Sequence, residues 1–272
     1  MSATRRSLVI AAFVLGAGLL VWLGNLWLDS GRDAPGFMVP GAAQSVPNPD
    51  GSVGLQQPLL QPQLQPASDA AAAAEGGVRT LGPAIAQLAA PEWVARVSAA
   101  TGIPQRAVQA YAGASLQLAT EQPDCRIGWT TLAGIGDIES GHGTHDGASI
   151  DASGRAVPEI LGPVLDGGDT AAIADSDGGS WDGDTAWDRA VGPLQFIPST
   201  WAQWGADGNG DGVDDPHQID DAALAAGRYL CHGGDMSTAD GWRGAVFSYN
   251  HLDSYVDSIA AMANEYARLA QG

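Results

Sequence analysis

The chain has 272 residues, 45% of them hydrophobic, with 12 Lys+Arg against 31 Asp+Glu and a formal net charge of −19. That hydrophobic share excludes wholesale disorder. The acidic balance, with every positive charge an arginine, argues against binding nucleic acid or an anionic bilayer through a broad basic face, because phosphate affinity comes mainly from Lys and Arg.

Residues 1–6 form a short tail carrying Arg5 and Arg6. Residues 7–28 are apolar apart from Asn25, long enough for a hydrocarbon core that takes ~20 helical residues. With the arginines before this run and Asp29 after it, the positive-inside rule predicts an uncleaved single-pass anchor in the cell membrane. The N-terminus is then cytoplasmic and the rest of the chain outside. A cleaved signal peptide is the alternative, but its apolar region is shorter (~7–15 residues) and ends at an A-x-A-like site. Residues 29–90 are rich in Pro, Gln and Ala and read as a disordered linker, with a root-mean-square span of roughly 40 Å as a flexible chain.

Residues 91–272 form the remaining domain, with 8 Arg against 26 acidic residues, a net −18. Its patterns are mostly helical. A helix opens at Pro104 and carries Val108, Tyr111, Leu116 and Leu118. A second, over residues 129–140, carries Leu132, Ile135 and Ile138 and is ended by Gly141. Two more are predicted over residues 222–231 and 240–248. A last one presents Val256, Ile259, Ala263 and Tyr266 on one face. Between Gly141 and Arg189 lies a stretch rich in Gly and Asp, with long loops and one hairpin expected. Cys125 and Cys231 are the only cysteines. In an oxidising space outside the membrane they are expected to form one bridge, with two buried thiols as the alternative.

Glu139 lies at the end of an apolar helix, in GIGDIESGHG. Greasy surroundings raise a carboxyl pKa and suit it to act as a general acid; Asp137 lies on another face of that helix. Glu139, His142 and His145 also spell E-x-x-H-x-x-H, a zinc alternative, although the intervening glycines break the helical register such a site needs. No G-x-S-x-G is present, so a hydrolase-type serine nucleophile has no support.

DGNGDGVDDPHQIDDA alternates oxygen-bearing side chains with glycine as an EF-hand loop does. Asp207, Asn209 and Asp211 occupy positions 1, 3 and 5, Gly212 position 6, and Val213 offers its carbonyl at position 7. Position 12 is Gln218 and not the bidentate Glu, so Asp215, Asp220 or Asp221 has to close the shell. A structural Ca2+ is expected, with Mg2+ less suited to so many protein oxygens.

Two further segments, AVGPLQFIPSTW and SYNHLDSYV, complete a pattern. The E-S-G segment, the G-x-x-Q-F-x-P-S-T-W segment, the D-x-N-x-D-G loop and the Y-N pair, in that order, resemble the membrane-bound lytic murein transglycosylase B-like enzymes over roughly residues 103–269. The resemblance implies a mainly α, lysozyme-like domain with Glu139 as the sole catalytic acid/base. It places Ser140, Gln195, Phe196, Tyr249 and Asn250 at the saccharide cleft and makes Asp221 the last calcium ligand. The partners it implies are peptidoglycan glycan strands and proteins of wall synthesis or division, with no organic cofactor. Pro193-Leu194 before the glutamine departs from many relatives. Two other readings stand beside it: a hydrolytic muramidase in which a second carboxylate such as Asp188 activates water, and a non-catalytic wall-binding scaffold. Trp201 and Trp204 are as readily core residues as sugar-stacking faces.

Overall fold

The computed structural model describes residues 84–168 and 170–271. The expected anchor and most of the expected linker lie outside them. Among the described residues no helix is long and apolar enough to cross a membrane.

The described chain is mainly helical: α1 (Pro91–Thr101), α2 (Gln105–Glu121), α3 (Trp129–Ser140), α4 (Pro198–Trp204), α5 (Ile219–Cys231), α6 (Ala239–Tyr249) and α7 (Asp253–Leu269). The packed chain begins before residue 91, because Ile85 and Ala89 are already buried in the core. α1 was not foreseen. It starts on a proline at its first position, which suits a missing N–H there, and buries Trp93, Val94 and Val97. α2 follows Pro104 as expected, and α3 has the predicted bounds. α5 begins at Ile219, upstream of the expected Ala222, because the Gln218 side chain caps it by accepting the Asp220 N–H at 2.6 Å. Two aspartates then fall in its first turn, where the helix dipole favours them.

α3 is the central element. Ten of its residues are buried, and it packs chiefly against α7 and also against α2. Its glycines let the neighbours come close. A Cβ at Gly136 would lie 2.0 Å from the Tyr111 hydroxyl of α2, so no larger residue fits without moving that tyrosine. Trp93 and Trp129 meet edge to face at 5.4 Å.

The Gly/Asp-rich stretch forms two small antiparallel pairs instead of one hairpin: β1 (Ser149–Ile150) with β2 (Ala156–Val157), and β3 (Leu161–Val164) with β4 (Arg189–Val191). The acidic loop between β3 and β4 holds its shape by folding carboxylates onto its own backbone. Asp175 accepts N–H groups from Asp177, Gly178 and Gly179, and Asp177 accepts from Gly179 and Trp181.

Cys125 and Cys231 are bridged across a separation of 106 residues, joining the turn after α2 to the end of α5. A loop of that length implies about 4–5 kcal/mol on the chain-entropy model. Reduction, or the Cys125→Ser/Cys231→Ser double variant, is therefore expected to lower the free energy of unfolding in urea by several kcal/mol. An unchanged midpoint would place the effect of the bridge near zero.

Candidate active site and EF-hand-like loop

α3 delivers Glu139 to the interior, where it is only 5% exposed. Tyr255, in the first turn of α7, donates a hydrogen bond of 2.6 Å to its Oε1. Burial pushes the Glu139 carboxyl up to about 7, while the Tyr255 hydrogen bond pulls the other way. Burial first, and then the Glu139 charge, push the hydroxyls of Tyr249 and Tyr255 well above the ordinary tyrosine value. Both tyrosines therefore stay neutral donors beside this carboxyl.

Around this centre, side chains hold the walls. The Ser140 hydroxyl donates to the Pro193 carbonyl at 2.6 Å and accepts the Gly143 N–H at 2.8 Å. That ties the end of α3 to the segment bearing Gln195. The Tyr249 hydroxyl donates to the Leu194 carbonyl at 2.8 Å, tying α6 to the same segment. Gln195 sits in the left-handed region at φ 49°. Its Nε2 donates to the Gly192 carbonyl at 2.9 Å, and its side chain lies against Gly162 of β3. Phe196 is 3% exposed and packs edge-on between Tyr249 at 6.0 Å and Trp201 at 5.1 Å. Its ring therefore belongs to the hydrophobic core. Trp201 is likewise core, whereas Trp204 packs on Tyr229 and His232. Asn250 follows Tyr249, and its Oδ1 is buried without a hydrogen-bond partner. An acceptor in that state is costly unless something donates to it.

The zinc alternative fails on geometry. Both ring nitrogens of His142 face tyrosine hydroxyls, and His145 pairs with Asp146 at 3.4 Å. Asp188 is 0% exposed, and its carboxylate accepts the N–H and hydroxyl of Ser176 at 2.9 and 2.7 Å. It organises the acidic loop and is not placed to activate water. Asp175, Asp177 and Asp188 bring ligand atoms within 4.8 Å of one another.

In the EF-hand-like loop, Asp207 accepts N–H groups from Gly210, Asp211 and Gly212. Asn209 accepts from Asp211, and Asp211 from Val213. The three aspartates left open for closing the loop separate cleanly. Asp215 pairs with Arg155 and Asp220 with Arg106. Asp221, 0% exposed, turns into the loop and accepts N–H groups from Gly208, Asn209 and Asp215 at 2.8, 3.0 and 3.0 Å. Burial and the charges of Asp207 and Asp211 push its carboxyl up to about 8, against the pull of its backbone hydrogen bonds. Asp207 and Asp211 are near enough for their charges to act on Asp221, and a divalent cation there would offset that repulsion, but among the described residues only Asp175, Asp177 and Asp188 bring three ligand atoms within 4.8 Å of one another. Gln218 caps α5 and also donates to the Ser153 carbonyl, so it is not a ligand.

Tyr255, Tyr111 and Tyr266 were not read as site residues from the sequence. Tyr255 stands in the quoted SYNHLDSYV stretch, and the other two occupy apolar helical spacings that read simply as core. Comparison of the chain with models of protein families, with curated proteins and with solved structures finds no match in any of the three.

Proposed function

We propose that the domain is a peptidoglycan lytic transglycosylase of lysozyme-like architecture, cleaving the β-1,4 bond between N-acetylmuramic acid and N-acetylglucosamine. The observation that carries this reading is the buried Glu139 carboxyl, kept protonated near neutrality and aimed by a single Tyr255 hydrogen bond. Glycosidases commonly use two carboxylates. Here the second one proposed, Asp188, is consumed by Ser176. One carboxyl suffices if the nucleophile belongs to the substrate.

In that reaction Glu139 donates its proton to the glycosidic oxygen as the C1–O bond breaks. The resulting carboxylate removes the proton of the muramoyl C6 hydroxyl, whose oxygen bonds to C1 and closes a 1,6-anhydro ring. Glu139 ends protonated again. Intramolecular attack gains from proximity. The unpartnered Asn250 Oδ1 suits an acetamido N–H of the sugar, which would orient it beside Tyr249. The net −19 also favours a substrate held by hydrogen bonds and stacking over one held by its negative charges. A calcium ion on Asp207, Asn209, Asp211, Asp221 and the Val213 carbonyl would pin the loop. The chain would sit in the cell membrane through residues 7–28, with this domain outside.

Mass spectrometry of fragments released from purified peptidoglycan tests the proposal. Products one water lighter than hydrolytic muropeptides support it. Reducing-end products would instead make the protein a muramidase, and no release from folded, calcium-loaded protein would make it a scaffold. Because the acid form of Glu139 is required, cleavage should fall as pH rises through about 7. Tyr255→Phe removes the donor that favours the ionised form, so this limb should move to higher pH. A limb that stays in place would show that Tyr255 does not tune Glu139.

A further inference from the structure

α3 ends in a turn where Gly141, His142 and Gly143 all have positive φ, at 58°, 60° and 82°. Glycine adopts that region freely; an imidazole-bearing residue is strained there and persists only when its surroundings hold it. His142 is 6% exposed. Its Nδ1 lies 3.3 Å from the Tyr111 hydroxyl of α2, and its Nε2 lies 2.9 Å from the Tyr266 hydroxyl of α7. The Tyr266 hydroxyl is also hydrogen-bonded to Asp137.

The direction of these bonds follows from chemistry. Burial lowers the His142 pKa to about 4, so the ring is neutral and carries one N–H. Desolvation also raises the pKa of Asp137, with the Tyr266 bond pulling it down, but that carboxylate remains the acceptor at the end of the chain. Tyr266 therefore gives its proton to Asp137, Nε2–H donates to the Tyr266 oxygen, and Tyr111 donates to Nδ1. One chain of hydrogen bonds thus grips α3 at Asp137, two residues before Glu139, and at His142, three residues after it. Tyr111 itself is seated against Gly136. The Asp137 carboxylate also lies 3.5 Å from His142 Nε2 directly.

We propose that His142 is a positioning residue for Glu139: the Tyr111–His142–Tyr266–Asp137 chain fixes the end of α3 so that the carboxyl stays under Tyr255 and away from water. None of the four touches the reacting atoms in this scheme. The proposal rests on the reading of Glu139 as the acid/base, and its test is built to separate the two.

The probes are Tyr266→Phe, which keeps the ring and deletes one oxygen, and His142→Gln, in the full chain. The chain has six glutamates. Their 13C-labelled carboxyl resonances are separable by NMR, and the Glu139 signal is identified by its loss in Glu139→Gln. In wild type it should titrate near 7. In both variants it should titrate lower by about one unit or more as water reaches it. kcat should fall roughly tenfold or more with KM nearly unchanged, and the basic limb of the pH–rate profile should move down with the titration. A merely structural His142 would lower the melting temperature and leave the titration and the kcat of folded molecules where they were, which would overturn the proposal. Peptidoglycan that wild type fails to cleave overturns the functional reading, and the carboxyl titration then decides the positioning alone.

Discussion

Glu139→Gln is expected to abolish cleavage and to make the protein more stable than wild type above pH 7. The folded carboxyl is held at about 7, against an ordinary 4.5, chiefly by burial. A raised folded pKa contributes stability that is fully present below 4.5 and is lost as pH rises through 7. A shift of that size corresponds to roughly 3 kcal/mol, which the uncharged glutamine does not lose. Its Oε1 can still accept from Tyr255. For a domain of this size the difference is on the order of 5–10 °C in melting temperature. The difference should vanish near pH 4, where wild-type Glu139 is protonated in both states. His142 has the opposite sign: its folded pKa of about 4 lies below the ordinary 6.5, so its contribution is present above 6.5 and lost as pH falls through 4. Between about 4.5 and 6.5 the two slopes oppose each other in wild type. The glutamine variant loses the Glu139 slope but keeps the rising slope of His142 and the falling slope of Asp221, whose carboxyl burial holds at about 8, so the Glu139 contribution is read as the difference between the two proteins at each pH. Melting both proteins across pH 4–8 checks this. A variant that tracks wild type at every pH would mean that Glu139 is not held in its acid form by burial.

How far the sequence reached depended on whether a signal was local. α3 was legible to the residue because apolar side chains recur along it and Gly141 stops it. The start of α5 was not, because buried Asp220 and Asp221 look like loop residues until Arg106, Gln218 and the EF-hand-like loop are seen to receive them. Glu139 stood out through its apolar helix. Its partner Tyr255 comes from 116 residues away, and no periodicity records a contact of that range. The hydrogen-bond chain through His142 is hidden for the same reason: Tyr111 and Tyr266 occupy core spacings, and only packing shows where their hydroxyls point. Phe196, expected at the saccharide cleft from its neighbours in sequence, lies in the hydrophobic core at 3% exposure. The acidic run from Asp175 to Asp188 resisted reading because its carboxylates satisfy nearby backbone N–H groups, which needs no pattern beyond Asp and Gly.

Calcium removal should be felt well beyond the loop that would bind the ion. The segment after the EF-hand-like ligands is a junction. The Pro216 carbonyl backs onto Gly192 so closely that a Cβ there would lie 1.9 Å from it. His217 Nε2 meets the Trp181 carbonyl at 3.0 Å, and the His217 carbonyl accepts from Ala156 at 2.9 Å. Asp215 is fixed from both sides, by Arg155 and by its N–H on Asp221. Without a cation, the mutual repulsion of Asp207, Asp211 and Asp221 loosens this junction, and with it the Gly192–Gln195 turn. An ion present at about a thousand times its dissociation constant stabilises the folded state by about 4 kcal/mol, so EDTA should lower the melting temperature by several degrees. It should also speed amide exchange at Gln195 and Phe196, whose N–H groups bond to Gly192 and Val191 at 3.1 and 3.0 Å. Asp211→Asn keeps an acceptor for Val213 while removing one of the three charges. It should melt at or above apo wild type and respond little to either calcium or EDTA. Wild type that melts identically in both would remove the cation from this loop. A shift in melting without faster exchange at Gln195 would confine its effect to the loop itself and disconnect it from the cleft.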